Sequence, residues 1–127
     1  MAAKILVVED NLDTRAATHL YLKAEGFEVV TAYDGREGLY MARAERPDLI
    51  VTDLNMPNLD GLALVKELRA DKELKDTPII IVTAMSHEER DDAIRAGADR
   101  AIDKPILFES LIEDINELLK ERKRQDR

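Results

Sequence analysis

The chain has 127 residues, 45% of them hydrophobic and 36% charged, with a net charge of -8. That is the length of one domain with enough apolar material for a core, and no apolar run approaches the roughly 18 residues of a membrane span. The acidic balance argues against direct, non-specific nucleic-acid binding by this domain and suits cations and basic protein partners; no membrane partner is expected. Without cysteine there are no disulfides and no thiolate metal sites, and the start carries no signal-peptide pattern, so a cytoplasmic location is expected.

Lys4-Ile5-Leu6-Val7-Val8 is the first strand-like run, and it ends in Glu9-Asp10-Asn11. Leu12, Ala16, Leu20 and Ala24 then recur every four residues, which predicts a helix with these residues along one face and Gly26 as its stop. Phe27 to Ala32 is the second strand. Asp34 with Glu37 three residues later resembles a capping box for a helix to about Glu45, closed by Pro47. Asp48 to Asp53 is the third strand, an apolar run that drives into one carboxylate and the turn Asn55-Met56-Pro57. Leu62, Val65 and Leu68 mark a third helix, and Pro78 to Thr83 is a nearly pure β-branched fourth strand. Ser86 and Glu89 form a capping box for a fourth helix, with Ala93, Ile94 and Ala96 on its apolar side and Gly97 as its stop. Arg100 to Asp103 is a short fifth strand before Lys104-Pro105, and Leu107, Leu111, Ile115 and Leu118 stripe the last helix.

Five strands alternating with five helices imply a parallel sheet covered on both faces, closed by right-handed crossovers into a doubly wound α/β fold. In such a sheet the carboxyl ends of the strands lie along one edge, where ligands bind. Glu9, Asp10, Asp53, Thr83 and Lys104 all sit at those ends. Each has a plainer reading: Asp53 as a turn residue, Thr83 as a β-former, Lys104 as a surface lysine. Their coincidence at one edge favours a joint site. Three clustered carboxylates need compensating charge, which Lys104 supplies in part and a divalent cation such as Mg²⁺ can complete. Cation and lysine together predict an anion beside Asp53, best read as a phosphoryl group that Asp53 accepts as nucleophile. Thr83 can then take a phosphoryl oxygen through its hydroxyl.

The set Glu9-Asp10, Asp53, Thr83-Ala84 and Lys104-Pro105, with Met56-Pro57 and Asp60-Gly61, resembles the receiver domain of two-component response regulators. The resemblance implies a single receiver domain over residues 1–127, with its core at about 4–120 and 121–127 as a charged tail. It implies the flavodoxin-like strand order 2-1-3-4-5, for which a receiver protein is a standing example. It also implies that Asp53 accepts phosphoryl from a histidine kinase or phosphotransfer protein, and that a downstream protein target or output domain reads the change. Glu9, Asp10, Asp53 and the backbone carbonyl of Asn55 are then the Mg²⁺ (or Mn²⁺) ligands, Thr83 and Lys104 bind the phosphoryl oxygens, and the Lys104–Pro105 bond is cis. Such a domain is a switch rather than an enzyme, catalysing only its own phosphorylation and slow dephosphorylation. The chain departs from the pattern at Ala101, where receivers usually carry a switching Tyr or Phe.

Other functions on similar sheets fit less well. A flavin mononucleotide module wants a Ser/Thr/Gly-rich phosphate loop where Glu9-Asp10 stand, and a nicotinamide enzyme wants Gly-x-Gly-x-x-Gly, which the chain lacks. A metal-dependent phosphatase with an aspartyl nucleophile expects a second acid where Asn55 stands. His19 and His87 read as solvated helix residues, and the basic residues from Lys120 to Arg127 as a solvated helix end. Met85 reads as packing, or as a shield for the phosphoryl group.

Overall fold

The buried, β-branched runs form five parallel strands: β1 (Lys4–Val8), β2 (Glu28–Ala32), β3 (Leu49–Thr52), β4 (Ile79–Thr83) and β5 (Arg100–Asp103). Their order is β2-β1-β3-β4-β5, as the resemblance implies. The structure is a computed structural model that describes residues 2–84 and 86–125. Met85 and the end of the charged tail therefore lie outside the described residues. The five helices are α1 (Leu12–Ala24), α2 (Gly35–Glu45), α3 (Gly61–Ala70), α4 (His87–Ala96) and α5 (Phe108–Gln125).

Strand side chains alternate between two cores. Leu6, Val8, Ile50, Ile79 and Ile81 pack with Ala42, Leu64, Val65, Leu68 and Ala93, from α2, α3 and α4. Ile5, Val7, Leu49, Val51, Ile80 and Val82 pack with Leu22, Leu111, Ile115 and Leu118, from α1 and α5. The central strands are buried on both faces, which is why they read as unbroken apolar runs.

Two helix starts follow the expected caps: Asp34 and Ser86 accept N–H bonds from Glu37 and Glu89. Asp60, read from the sequence only as a loop residue, caps α3 in the same way by accepting the Ala63 N–H. Glu37 returns its bond to the backbone N–H of Tyr33, one residue before the expected one. Gly26 and Gly97 end α1 and α4 at φ 97° and 123°.

The face of α1 differs from the expectation. Leu12 and Leu20 are 66% and 69% exposed, and Ala16 and Ala24 are exposed beside them. The buried positions are Thr18 and Leu22. Burying a threonine is possible because its hydroxyl donates to the Thr14 carbonyl at 2.7 Å, leaving no unsatisfied group. Tyr21 stacks on Phe108 of α5 with ring centroids 4.6 Å apart. Leu107 likewise precedes α5 and is exposed, as is Ile94 on α4, while Leu111, Ile115 and Leu118 face the core as expected.

Candidate functional site

Register places the site. Val8 of β1 aligns with Thr52 of β3, so Glu9 and Asp53 each stand one residue past an aligned pair. The Asp53 N–H donates to the Val8 carbonyl at 3.0 Å, and the Glu9 N–H donates to Ala32 at 3.0 Å. Thr83 aligns with Asp103, which brings Lys104 to the same edge. The Lys104–Pro105 bond is cis.

Glu9 and Asp53 are only 4% and 7% exposed. Between them lies the Lys104 ammonium, 2.7 Å from Glu9 Oε1 and 3.1 Å from Asp53 Oδ2. The other Glu9 oxygen accepts the Asn11 N–H at 3.1 Å, and Asp53 Oδ1 accepts the Leu54 N–H at 2.7 Å. Asp10 is exposed beside them. One carboxylate oxygen each from Glu9, Asp10 and Asp53 lies within 4.8 Å of the others. Thr83 is buried with its hydroxyl 3.5 Å from Asn55 Nδ2. Sequence reasoning thus named five side chains that the fold does bring to one edge.

Burial pushes the Glu9 carboxyl above its ordinary value and the nearby Asp53 charge adds to this, against the opposing pull of Lys104 and the Asn11 N–H. Burial also works against the charge on Lys104, but its bonds to Glu9 and Asp53 outweigh this and hold its pKa above the ordinary lysine value. The ammonium therefore stays protonated and offsets part of a buried negative cluster. An all-oxygen donor set at this spacing suits a hard divalent cation.

Three supports escaped the sequence. Arg15 donates to the Glu9 carbonyl at 2.9 Å, and nothing in the pattern of α1 announces it. Asn11 caps α1 through Thr14 while its own N–H holds Glu9, a role that its place before the helix could have suggested. Gly61 admits a close approach: a Cβ there would lie 2.2 Å from the Asp53 carbonyl oxygen and 2.7 Å from Leu54 Cα. A mostly apolar groove of about 570 Å³ opens beside Lys104, lined by Asp13, Thr14, Ala17, Pro105, Ile106 and Phe108.

Residues 5–116 match the response regulator receiver domain. The chain belongs to this family. The receiver is 41% identical over 120 residues to the transcriptional regulatory protein PrrA of Mycobacterium bovis, covering 94% of this chain and 51% of that one. It is 39% identical over 127 residues to the response regulator MprA of Mycobacterium ulcerans, covering 99% of this chain and 54% of that one. The receiver thus spans about half the length of the curated relatives it matches. Among solved structures, the chemotaxis response regulator CheY4 of Vibrio cholerae has a TM-score of 0.88 at 35% identity, covering 93% of this chain and 99% of that one. A CheY-like receiver domain protein from Methanospirillum hungatei has a TM-score of 0.92 at 30% identity, covering 98% and 99%. These relatives are response regulators, not classical enzymes.

Proposed function

We propose that Asp53 of this receiver accepts a phosphoryl group from a histidine kinase or phosphotransfer protein, and that the change is read by a downstream protein or output domain. The observation that carries the reading is the Asp53 carboxylate, at a strand end, on the Lys104 ammonium and within reach of two more carboxylates. In the transfer, an Asp53 oxygen attacks phosphorus. The new O–P bond forms as the N–P bond to the donor histidine breaks, and the imidazole nitrogen keeps the electron pair and takes up a proton.

Glu9, Asp10, Asp53 and the Asn55 carbonyl are the groups that would hold Mg²⁺ or Mn²⁺. Bound there, the cation supplies charge neutralisation at the phosphoryl oxygens. Lys104 leaves its ion pair with Asp53 for a phosphoryl oxygen, and the Thr83 hydroxyl takes another. The apolar groove beside Lys104 gives the donor protein a surface next to the acceptor. The same residues let the domain catalyse its own phosphorylation from small donors and its slow dephosphorylation. A cytoplasmic place suits such a partner, and no described helix is long and apolar enough to cross a membrane. We read 1–127 as one receiver domain, with its core at about 4–120, consistent with the matched span.

The readout differs from one that uses an aromatic at position 101. Ala101 has no side-chain rotamer to switch. Its carbonyl accepts from Arg90 of α4 at 2.8 Å, and the same guanidinium meets Asp103 at 2.9 Å. Phosphorylation therefore acts through the loop after Thr83 and the start of α4. The test is incubation with acetyl phosphate and Mg²⁺ followed by intact mass. The parent should gain one phosphoryl group and Asp53→Asn none; an adduct of equal yield in Asp53→Asn would overturn the assignment.

A further inference from the structure

Asp34 is 4% exposed and held by hydrogen bonds, with no ion pair to a described residue. One oxygen caps α2 by accepting the Glu37 N–H at 2.8 Å. The other accepts the Asn58 side-chain amide at 2.6 Å, reaching 24 residues along the chain into the loop that follows Asp53. These donors, the Glu37 N–H foremost, hold the Asp34 carboxyl below the usual range, so it stays an acceptor. Asn58 has φ 69°, a left-handed conformation that Asn tolerates better than most residues. Next to it the backbones touch: a Cβ on Gly35 would lie 1.8 Å from the Leu59 carbonyl oxygen. Only glycine lets the start of α2 press on the loop this closely.

The loop is thereby tied at both ends. At its neck the Gly61 N–H donates to the Leu54 carbonyl at 2.7 Å, and Gly61 sits against the Asp53 backbone. At its tip Asn58 and Leu59 rest on Asp34 and Gly35. Asn55 lies between the two ties, its N–H 3.4 Å from Asp53 Oδ1 and its amide against Thr83. We propose that Asp34 is a positioning residue for the phosphoryl-acceptor site: through Asn58 it sets the loop that presents the Asn55 backbone to the carboxylate cluster. This rests on the reading that Glu9, Asp10, Asp53 and the Asn55 carbonyl bind Mg²⁺. Capping of α2 alone needs only one of the two oxygens.

The experiment measures Mg²⁺ dissociation constants by calorimetry, and melting temperature without metal, for the parent, Asn58→Asp, Asn58→Gly and Asp34→Asn/Asn58→Asp. Asn58→Asp sets two carboxylates face to face. Asn58→Gly keeps the positive φ and deletes the bond. The double variant restores the bond with donor and acceptor exchanged, because Asn still caps a helix. Supporting groups of a metal ligand commonly cost 10-fold or more in affinity when removed, so both single variants should bind Mg²⁺ about tenfold more weakly, and the double variant within about threefold of the parent. A charge effect alone would run the other way, since Asn58→Asp adds a carboxylate. Single variants that melt lower but bind Mg²⁺ like the parent make the Asp34–Asn58 bond merely structural and overturn the proposal, as does a double variant that recovers no affinity. A parent that binds no Mg²⁺ overturns the site reading itself.

Discussion

Replacing Lys104 with methionine keeps most of the side-chain stem and removes the charge that sits 2.7 Å from Glu9 and 3.1 Å from Asp53. Removing one partner of a buried ion pair costs about 3–5 kcal/mol, and Lys104 is 28% exposed, which lowers that figure. A second limit comes from protonation. In the unfolded chain, where a glutamate carboxyl keeps its ordinary pKa of about 4.3, binding a proton costs about 3.7 kcal/mol at pH 7 but only about 1 kcal/mol at pH 5, at 1.36 kcal/mol per pH unit. The variant cannot lose much more than this, because Glu9 protonates once the repulsion exceeds it. We expect a loss of about 2–3 kcal/mol at pH 7, near 10 °C in melting temperature for a domain of this size, shrinking to about 4 °C or less at pH 5. The sign follows from the direction of the Glu9 shift. A carboxyl whose folded pKa is raised keeps its full contribution below the unfolded value and loses it as pH rises through the folded value. Removing Lys104 raises the folded pKa further, so the gap between variant and parent opens as pH climbs from the ordinary glutamate range. Lysine itself does not titrate there, because its folded pKa lies above an already high ordinary value. The assay is thermal melting without divalent metal across that range. A deficit equal at both pH values, or none at pH 7, would refute the idea that Lys104 holds the buried carboxylates.

Asp10 is exposed and its carboxylate accepts no hydrogen bond from a described residue, so Asp10→Asn should raise the metal-free melting temperature by relieving repulsion from Glu9 and Asp53. The same variant should lose most of the Mg²⁺ stabilisation, which in the parent is expected to reach roughly 1.4 kcal/mol at ten times the dissociation constant; a lower metal-free melting temperature would refute this. In Gly61→Ala the new methyl meets the Asp53 carbonyl oxygen at 2.2 Å, so the Asp53 backbone must shift. Loss of about 1–3 kcal/mol by chemical denaturation, with much slower phosphorylation by acetyl phosphate, is the expected outcome. Arg69 on α3 donates to the carbonyls of Lys75, Thr77 and Gly97 and to the Asp99 carboxylate, tying the ends of α3 and α4 to the starts of β4 and β5. Arg69→Ala should cost about 3 kcal/mol by denaturation while leaving Asp53 phosphorylatable.

The central strands were legible because they are buried on both faces and so write themselves as runs such as Leu49-Ile50-Val51 or Ile79-Ile80-Ile81-Val82, whereas the edge strands β2 and β5 are only partly buried. The site was legible for a related reason: polar residues that interrupt such runs stand at their ends, and parallel ends share an edge. The orientation of α1 was not legible. Leucine and alanine recur at helical spacing on its outer face, while the inner face uses Thr18, whose burial depends on a bond to the Thr14 carbonyl that residue type does not reveal. The ties from Asp34 to Asn58 and from Arg69 to four partners were also hidden. Asp34 was read only as a helix cap, and its second bond reaches 24 residues along the chain; Arg69 reads as a surface arginine until the fold brings Gly97 and Asp99, 28 and 30 residues away, to it.

The most direct test of Asp53 as acceptor locates the phosphoryl group chemically. Protein phosphorylated with acetyl phosphate and Mg²⁺ is reduced with borohydride, which converts an acyl phosphate to the alcohol, and is then digested and sequenced by mass spectrometry. The expected result is homoserine at position 53 and nowhere else. Reduction at Glu9, at Asp10 or at a residue outside the cluster, with position 53 intact, would contradict the central assignment.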